Sequence, residues 1–119
     1  MNVALWASQI ILALIFGTAG YMKATQPQER LLRQGVNWAE RVHLSLVRII
    51  GIAELLGAVG LVLPTALNIL PILTPLAAIG LAVIMVFASI HHVQYKEWNA
   101  ILFNLALLAM AVFIVYGRL

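Results

Sequence analysis

The stretch that decides the fold is residues 55–95, LLGAVGLVLPTALNILPILTPLAAIGLAVIMVFASIHHVQY, which contains no Asp, Glu, Lys or Arg. As one helix, these 41 residues would be roughly 60 Å long, twice the hydrocarbon thickness of a bilayer. The stretch must therefore turn back on itself. Pro64, Asn68, Pro71 and Pro75 mark the turn, because proline interrupts a helix and asparagine favours turns. The pattern predicts two membrane spans joined by a short connection.

The composition of the whole chain agrees with this interpretation. Of the 119 residues, 64% are hydrophobic and 9% are charged, whereas soluble domains have about 25% charged residues. A soluble enzyme, a DNA-binding module and a disordered tail are therefore poor fits, and an integral membrane protein remains. We expect no nucleic-acid partner. The sequence has no cysteine, which removes disulfides, thiolate metal sites and iron–sulfur clusters, and we expect no metal.

Two further uncharged runs, Met1–Met22 and Trp98–Gly117, are each long enough to cross a bilayer. The predicted fold class is all-α, a four-helix transmembrane bundle that forms one domain over residues 1–119. The helices are expected at about residues 3–22, 46–63, 72–91 and 98–116. Because the first positive side chain, Lys23, follows the first apolar run, we expect that run to be retained rather than cleaved as a signal peptide.

The connection between the first two spans is the longest. Pro27–Gly35 has proline at its start and glycine at its end, which predicts a short interfacial helix. Asn37 and Glu40 resemble a capping box, so the second long helix could instead begin at Trp38 and run to Leu63.

Basic residues predict the orientation of the bundle. Six of the seven lie in the two connections that share one side, namely Lys23, Arg30, Arg33, Arg41, Arg48 and Lys96. Arg118 lies on the other side. Because positive residues are retained in the cytoplasm, both termini are expected on the non-cytoplasmic side of a bacterial inner membrane.

Glu54 is the acidic residue within a predicted span. It follows Arg48 by six residues, which places it about 9 Å further along the helix. A carboxylate at that depth costs a few kcal/mol, so it must face the bundle interior, find a partner or be protonated. One interpretation is a proton-binding or ligand-binding group; the other is a hydrogen bond that only supports packing. The sequence leaves both open.

Thr18 and Asn104 lie at about the depth of Glu54, and Ser89 is shallower. We expect these side chains to form one polar cluster, toward which Lys23 can extend. The alternatives are that Lys23 only anchors the first helix at the headgroups and that Asn104 only makes an interhelical hydrogen bond.

His91 and His92 are adjacent and therefore about 100° apart on a helix, which prevents them from sharing one metal ion. A better interpretation is that the two histidines are polar residues that end the third helix at the membrane interface. A proton-relay role for His91 stays open. Gln9, in the first helix, is expected to hydrogen-bond across helices or to face an associating partner.

Small residues are concentrated in the first two helices. Gly17 and Gly20 lie in the first, and Gly51 and Gly57 lie in the second, where Ala53 and Gly57 form a small-xxx-small step. Such residues let backbones approach closely, so we expect these two helices to pack together beside the acidic residue of the second.

Two segments resemble the DoxX-like family of small four-helix membrane proteins. Residues 16–23, FGTAGYMK, are similar to its F-x-x-x-G-x-x-K pattern, and residues 48–61, RIIGIAELLGAVGL, are similar to its second helix. The matched positions are Gly20, Lys23, Gly51 and Glu54. Some family members are quinone-linked subunits in sulfur oxidation or partners of redox-stress proteins. The resemblance therefore implies that a redox role here would need a quinone or partner subunits.

Three hypotheses follow for function. The first is a DoxX-like component of a membrane redox system that binds a quinone or another small amphiphile near Glu54. The second is a proton-coupled small-molecule transporter that uses Glu54, although small multidrug exporters have their glutamate in the first helix, where this chain has no acidic residue. The third is a structural or assembly subunit, as a homo-oligomer or in a membrane complex. No catalytic motif is present, and we assign no reaction.

Overall fold

A computed structural model describes residues 2–33 and 43–119, and within them the chain is helical without strands. The helices are α1 (Asn2–Thr25), α2 (Gln28–Arg33), α3 (Leu44–Leu67), α4 (Leu73–Gln94) and α5 (Trp98–Arg118). Apart from α2, each of these described helices is long and apolar enough to cross a membrane. The prediction of an all-α bundle with four spanning helices is confirmed. The bundle is 40 Å in its longest dimension, which matches the thickness of a bilayer with its headgroups.

The four long helices form a closed ring in which α1 packs on α3, α3 on α4, α4 on α5 and α5 on α1. The interior is filled by side chains of all four, including Leu12, Phe16, Leu61, Leu81, Met85, Leu107 and Ile114. Large apolar side chains also cover the outside, among them Leu14, Ile49, Leu56, Phe87, Leu102 and Tyr116. An apolar outer surface of this extent suits contact with lipid.

Glycines bring the backbones of α1 and α3 into contact. A Cβ atom added to Gly20 would lie 2.6 Å from the Gly51 carbonyl oxygen, and one added to Gly51 would lie 2.6 Å from the backbone nitrogen of Ala24. Gly17 lies on the same seam with more room, since an added Cβ would lie 3.7 Å from Ala58 Cβ. The side of α3 that carries Gly51 is thereby fixed against the last turns of α1.

Gly57 does not belong to this seam, which corrects the expectation from the sequence. Six residues beyond Gly51 is about 240° around a helix, so Gly57 faces α4 instead. An added Cβ would lie 2.8 Å from the Leu81 side chain. Ala53, its partner in the small-xxx-small step, is exposed.

Proline does not end α3 where the sequence predicted. The helix continues past Pro64 to Leu67, so the proline costs its own backbone hydrogen bond without ending the helix. Asn68 ends it in the left-handed conformation, with φ of 53°, and its backbone N–H donates to the carbonyls of Pro64 and Thr65. The turn therefore begins at the asparagine rather than at the first proline.

Helix α2 lies within the predicted interfacial segment and begins directly after Pro27. Its Leu31 side chain is fully buried and packs with Val47 of α3. The backbone of His43 is extended, and its Nδ1 accepts from the N–H of Ser45, so α3 begins at Leu44 and not at Trp38. The predicted Asn37–Glu40 capping box lies outside the described residues.

Candidate ligand-binding site

A buried ion pair joins α1 to α3. Lys23 Nζ lies 2.7 Å from Glu54 Oε1, and the Glu54 side chain is 2% exposed while that of Lys23 is 15% exposed. Lys23 follows Gly20 by three residues and Glu54 follows Gly51 by three, so the glycine contact sets both side chains on facing surfaces. The carboxylate is thus held inside the bundle by a cation from a neighbouring helix.

Arg48 makes a second link between the same two helices. Its Nη1 donates to the backbone oxygen of Lys23 at 2.8 Å, which satisfies a carbonyl in the last turn of α1. Arg48, Gly51 and Glu54 are spaced three residues apart and form one stripe on α3 that faces α1. Contacts at three successive positions leave Lys23 little freedom to move along the axis of α1.

A cavity of about 440 Å³ lies beside the ion pair. It occupies the half of the bundle nearest Lys23, Arg48, Lys96 and α2, which we call the basic end. Its apolar walls come from Phe16, Leu46, Ile50, Ile84, Met85, Phe87 and Ala88. Its polar groups come from Lys23, Glu54, His91, His92 and Asn104. The volume lies within the range of small-molecule sites, which are mostly apolar with a few polar groups.

Most of the cavity wall is contributed by side chains of α3 and α4. Near the turn that joins them, Gly60 faces Ala77 and Gly57 faces Leu81 with no room for a Cβ atom at either glycine. Closer to the basic end, from Ile84 onward, side chains of α4 line the cavity rather than contacting a glycine of α3. The glycine contacts between α3 and α4 thus lie toward their turn, and the cavity lies toward the basic end.

Asn104 contributes an amide from α5. Its Nδ2 lies 3.5 Å from Ser89 Oγ, which is at the limit of a hydrogen bond and therefore weak. The amide carries two donor hydrogens and an acceptor oxygen, and the contact with Ser89 uses only one of the hydrogens. Because Asn104 lines the cavity, it can donate to or accept from a bound molecule.

The two histidines both line the cavity from the end of α4, which continues past them to Gln94. The His91 ring lies 4.8 Å from the Tyr95 ring, and His92 Nδ1 lies 3.1 Å from Glu97 Oε1. No group of three side chains able to hold a metal ion occurs in the described part of the chain. The site thus offers hydrogen-bonding groups around an apolar volume.

Thr18 does not join the polar cluster that the sequence predicted. It is exposed and lines a shallow open depression on α1. Phe16 and Gly20 are buried, and Thr18 lies about 200° around the helix from each of them. Its depth matches that of Glu54, but it faces away. Of the expected members, Lys23, Glu54 and Asn104 lie together at the cavity, and His91 lines it with them.

A second polar network lies at the opposite end of the bundle, and its basic member was interpreted in the sequence only as a marker of orientation. Gln9 is fully buried, and its Nε2 donates to the backbone oxygen of Leu61 at 2.6 Å. Arg118 Nε donates to Gln9 Oε1 at 2.7 Å, and its guanidinium lies 5.5 Å from the centre of the Trp6 ring. The contact between Gln9 and Arg118 could have been predicted from two features of the sequence. One is an amide within an apolar span, and the other is a single basic residue at the same end of the bundle.

Comparison with known proteins gives one match. The sequence model of the DoxX-like family matches residues 7–114, a range that includes the ion pair and the cavity-lining residues. No curated protein and no solved structure matches the chain.

Proposed function

The chain belongs to the DoxX-like family, and we propose that this integral membrane protein binds a small amphiphile of the quinone class in the cavity at its basic end. The observation that carries the proposal is a cavity of about 440 Å³ with apolar walls and a cluster of polar groups on one side. A bound amphiphile would place its head at these groups and its tail along the apolar walls.

The charge of the site supports a neutral head. Glu54 and Lys23 neutralise each other at 2.7 Å, so the polar side of the cavity carries no net charge from this pair. A carboxylate or phosphate would have to compete with Glu54 for the lysine, whereas a quinone carbonyl needs only a hydrogen-bond donor. The Asn104 amide and the His91 ring are placed at the cavity to supply one.

The apolar walls support a ligand that is dissolved in the membrane. Phe16 and Met85 lie at the core side of the cavity, and Ile50 and Ile84 line it from α3 and α4. For a ligand that leaves lipid, burial of its apolar surface brings no hydrophobic gain, so its tail is held by packing against these walls. Such a site selects by shape and by hydrogen bonding at the head.

Proton-coupled transport receives less support from the same geometry. A transporter of this kind must release and rebind a proton at its acid in each cycle. Glu54 is held in a 2.7 Å ion pair and is 2% exposed, so each cycle would have to separate it from Lys23. An assembly role has no observation of its own in its favour.

We also propose that the protein lies in a bacterial inner membrane with its basic end toward the cytoplasm. Lys23, Arg48 and Lys96 lie at one end of the bundle, together with the basic residues of α2. Since Lys and Arg are retained on the cytoplasmic side, this arrangement supports the stated orientation.

The test is a thermal-shift measurement on the purified chain in mild detergent, with decylubiquinone as the probe and decanol as a tail-only control. A ligand at a hundredfold excess over its Kd stabilises by about 2.7 kcal/mol, so we expect Tm to rise by several degrees with decylubiquinone and not with decanol. Asn104→Ala should lose most of this rise.

Asn99→Ala is the matched control, because Asn99 is an exposed amide on the same helix and does not line the cavity. It should keep the full response. Equal shifts with decanol and decylubiquinone, or no shift with either, would refute quinone binding. An unchanged response in Asn104→Ala would place the head away from the amide.

A further inference from the structure

We infer that the cavity opens sideways into the bilayer through the gap between α3 and α4, so that its ligand arrives from the lipid phase and leaves its tail in this gap. The inference rests on the proposed function for its ligand and adds the route of access. It also narrows the ligand class to lipid-dissolved molecules with a single tail and a neutral head.

The position of the gap follows from the glycine contacts and from the cavity-lining side chains of α3 and α4. Gly57 and Gly60 hold α3 against α4 near their turn, with Leu81 and Ala77 in direct contact. Toward the basic end, Leu46 and Ile50 of α3 and Ile84, Phe87 and Ala88 of α4 line the cavity instead. Because both helices span the membrane and lie at the outside of the bundle, a gap between them opens toward lipid.

The exposure of the lining residues locates the opening. Leu46 of α3 and Phe87 of α4 both line the cavity and are both exposed, at 46% and 69%. A side chain can do both only where the cavity meets the outside. Both are apolar and belong to helices long and apolar enough to span a membrane, so we place the opening against lipid rather than water.

The order of residues from the opening to the interior fits one orientation of the ligand. Apolar Leu46 and Phe87 form the rim, while Glu54 at the inner side is 2% exposed. A polar head would reach the ion pair and Asn104, and a tail would pass the rim. The neighbouring seam between α1 and α3 offers no comparable opening, because Gly20 and Gly51 bring those backbones into contact.

The experiment uses the full chain in lipid nanodiscs and a decyl benzoquinone that carries a diazirine at the end of its tail. After irradiation, labelled residues are mapped by mass spectrometry, with and without an excess of unlabelled decylubiquinone. Phe103 supplies the lipid background, because it is 55% exposed on α5 and does not line the cavity. We expect competed labelling at Leu46 and Phe87 to exceed that at Phe103 by at least about tenfold.

Each outcome is informative. Competed labelling of the cavity interior without labelling of the rim, or with the tail on α1 or α5, would overturn lateral access and leave quinone binding intact. The absence of any competed labelling would overturn the proposed function as well.

A pair of variants gives an independent check on the rate. Phe87→Trp narrows the rim and should slow competed labelling, followed over time after addition of the probe, about tenfold, whereas Phe103→Trp changes an exposed phenylalanine away from the cavity and should leave the rate unchanged. Equal rates in the two variants would also overturn lateral access.

Discussion

Replacing Gly20 with alanine tests the contact on which the site is built. The added Cβ atom would lie 2.6 Å from the Gly51 oxygen and 2.8 Å from the backbone nitrogen of Leu55. Both obstructing atoms belong to the backbone of α3 and cannot rotate away. Ordinary contact begins at 3.4 Å, so α1 and α3 would have to separate locally by about 0.8 Å.

The expected magnitude combines two opposing effects. Overpacking of this kind costs about 1–3 kcal/mol, while alanine is favoured over glycine in a helix interior by about 1 kcal/mol. Gly20→Ala and Gly51→Ala should therefore destabilise by up to about 2 kcal/mol. Gly80→Ala receives only the favourable effect, because nothing lies within 4 Å of its added Cβ. Gly17→Ala, with a 3.7 Å contact, should be close to neutral.

The assay is equilibrium unfolding in mild detergent titrated with sodium dodecyl sulfate and followed by circular dichroism. The expected order of stability is Gly80→Ala at or above the parent chain, Gly17→Ala near it, and Gly20→Ala and Gly51→Ala below it. Separation of the helices also draws Lys23 from its partner, so the quinone-dependent shift should weaken in the last two. If Gly20→Ala proved as stable as Gly80→Ala, the close backbone contact, and the account of how the ion pair is placed, would be wrong.

Three other perturbations address charge, the second polar network and orientation. Lys23→Met leaves Glu54 buried without its cation and should destabilise the protein by about 3 kcal/mol in the same unfolding assay. Lys23→Met combined with Glu54→Leu should recover most of that loss. If the effects of the two substitutions on stability were additive, a direct interaction between the two side chains would be contradicted. Gln9→Leu removes the amide that donates to α3 and should cost about 1–3 kcal/mol, and an unchanged unfolding midpoint would refute that contribution. Because the parent chain has no cysteine, single variants report orientation directly: in intact spheroplasts an impermeant maleimide should label Asn68→Cys and spare Lys96→Cys, and the reverse pattern would invert the proposed orientation.

The number and limits of the spanning helices could be predicted because hydrocarbon thickness sets the length of an uncharged run. The first residue of α5 is the predicted one, and α4 starts within one residue of its prediction. The end of α3 was placed too early, since Pro64 was expected to stop the helix, whereas the helix continues through it to Leu67. The left-handed asparagine was the more reliable signal.

For the site residues, the sequence predicted the depth in the membrane but only partly the side of the helix on which each residue lies. Counting residues from the charged ends placed Glu54, Asn104 and Thr18 at similar levels, but the side of the helix on which each lies depends on packing. Thr18 faces outward because Phe16 and Gly20 face the interior. The cavity itself depends on where α3 and α4 are in contact, which the sequence of one helix does not determine.

The ion pair also bears on how the chain is made. Segments leave the ribosome in order, so α1 has already been synthesised when the carboxylate of α3 reaches the translocon. Lys23 is then available to form the ion pair with Glu54, and the Gln9 amide can donate to the Leu61 carbonyl when α1 and α3 pack together. A nascent chain can thus shelter its most costly side chain before α4 and α5 have entered the membrane, and the link from Arg118 waits for the end of synthesis.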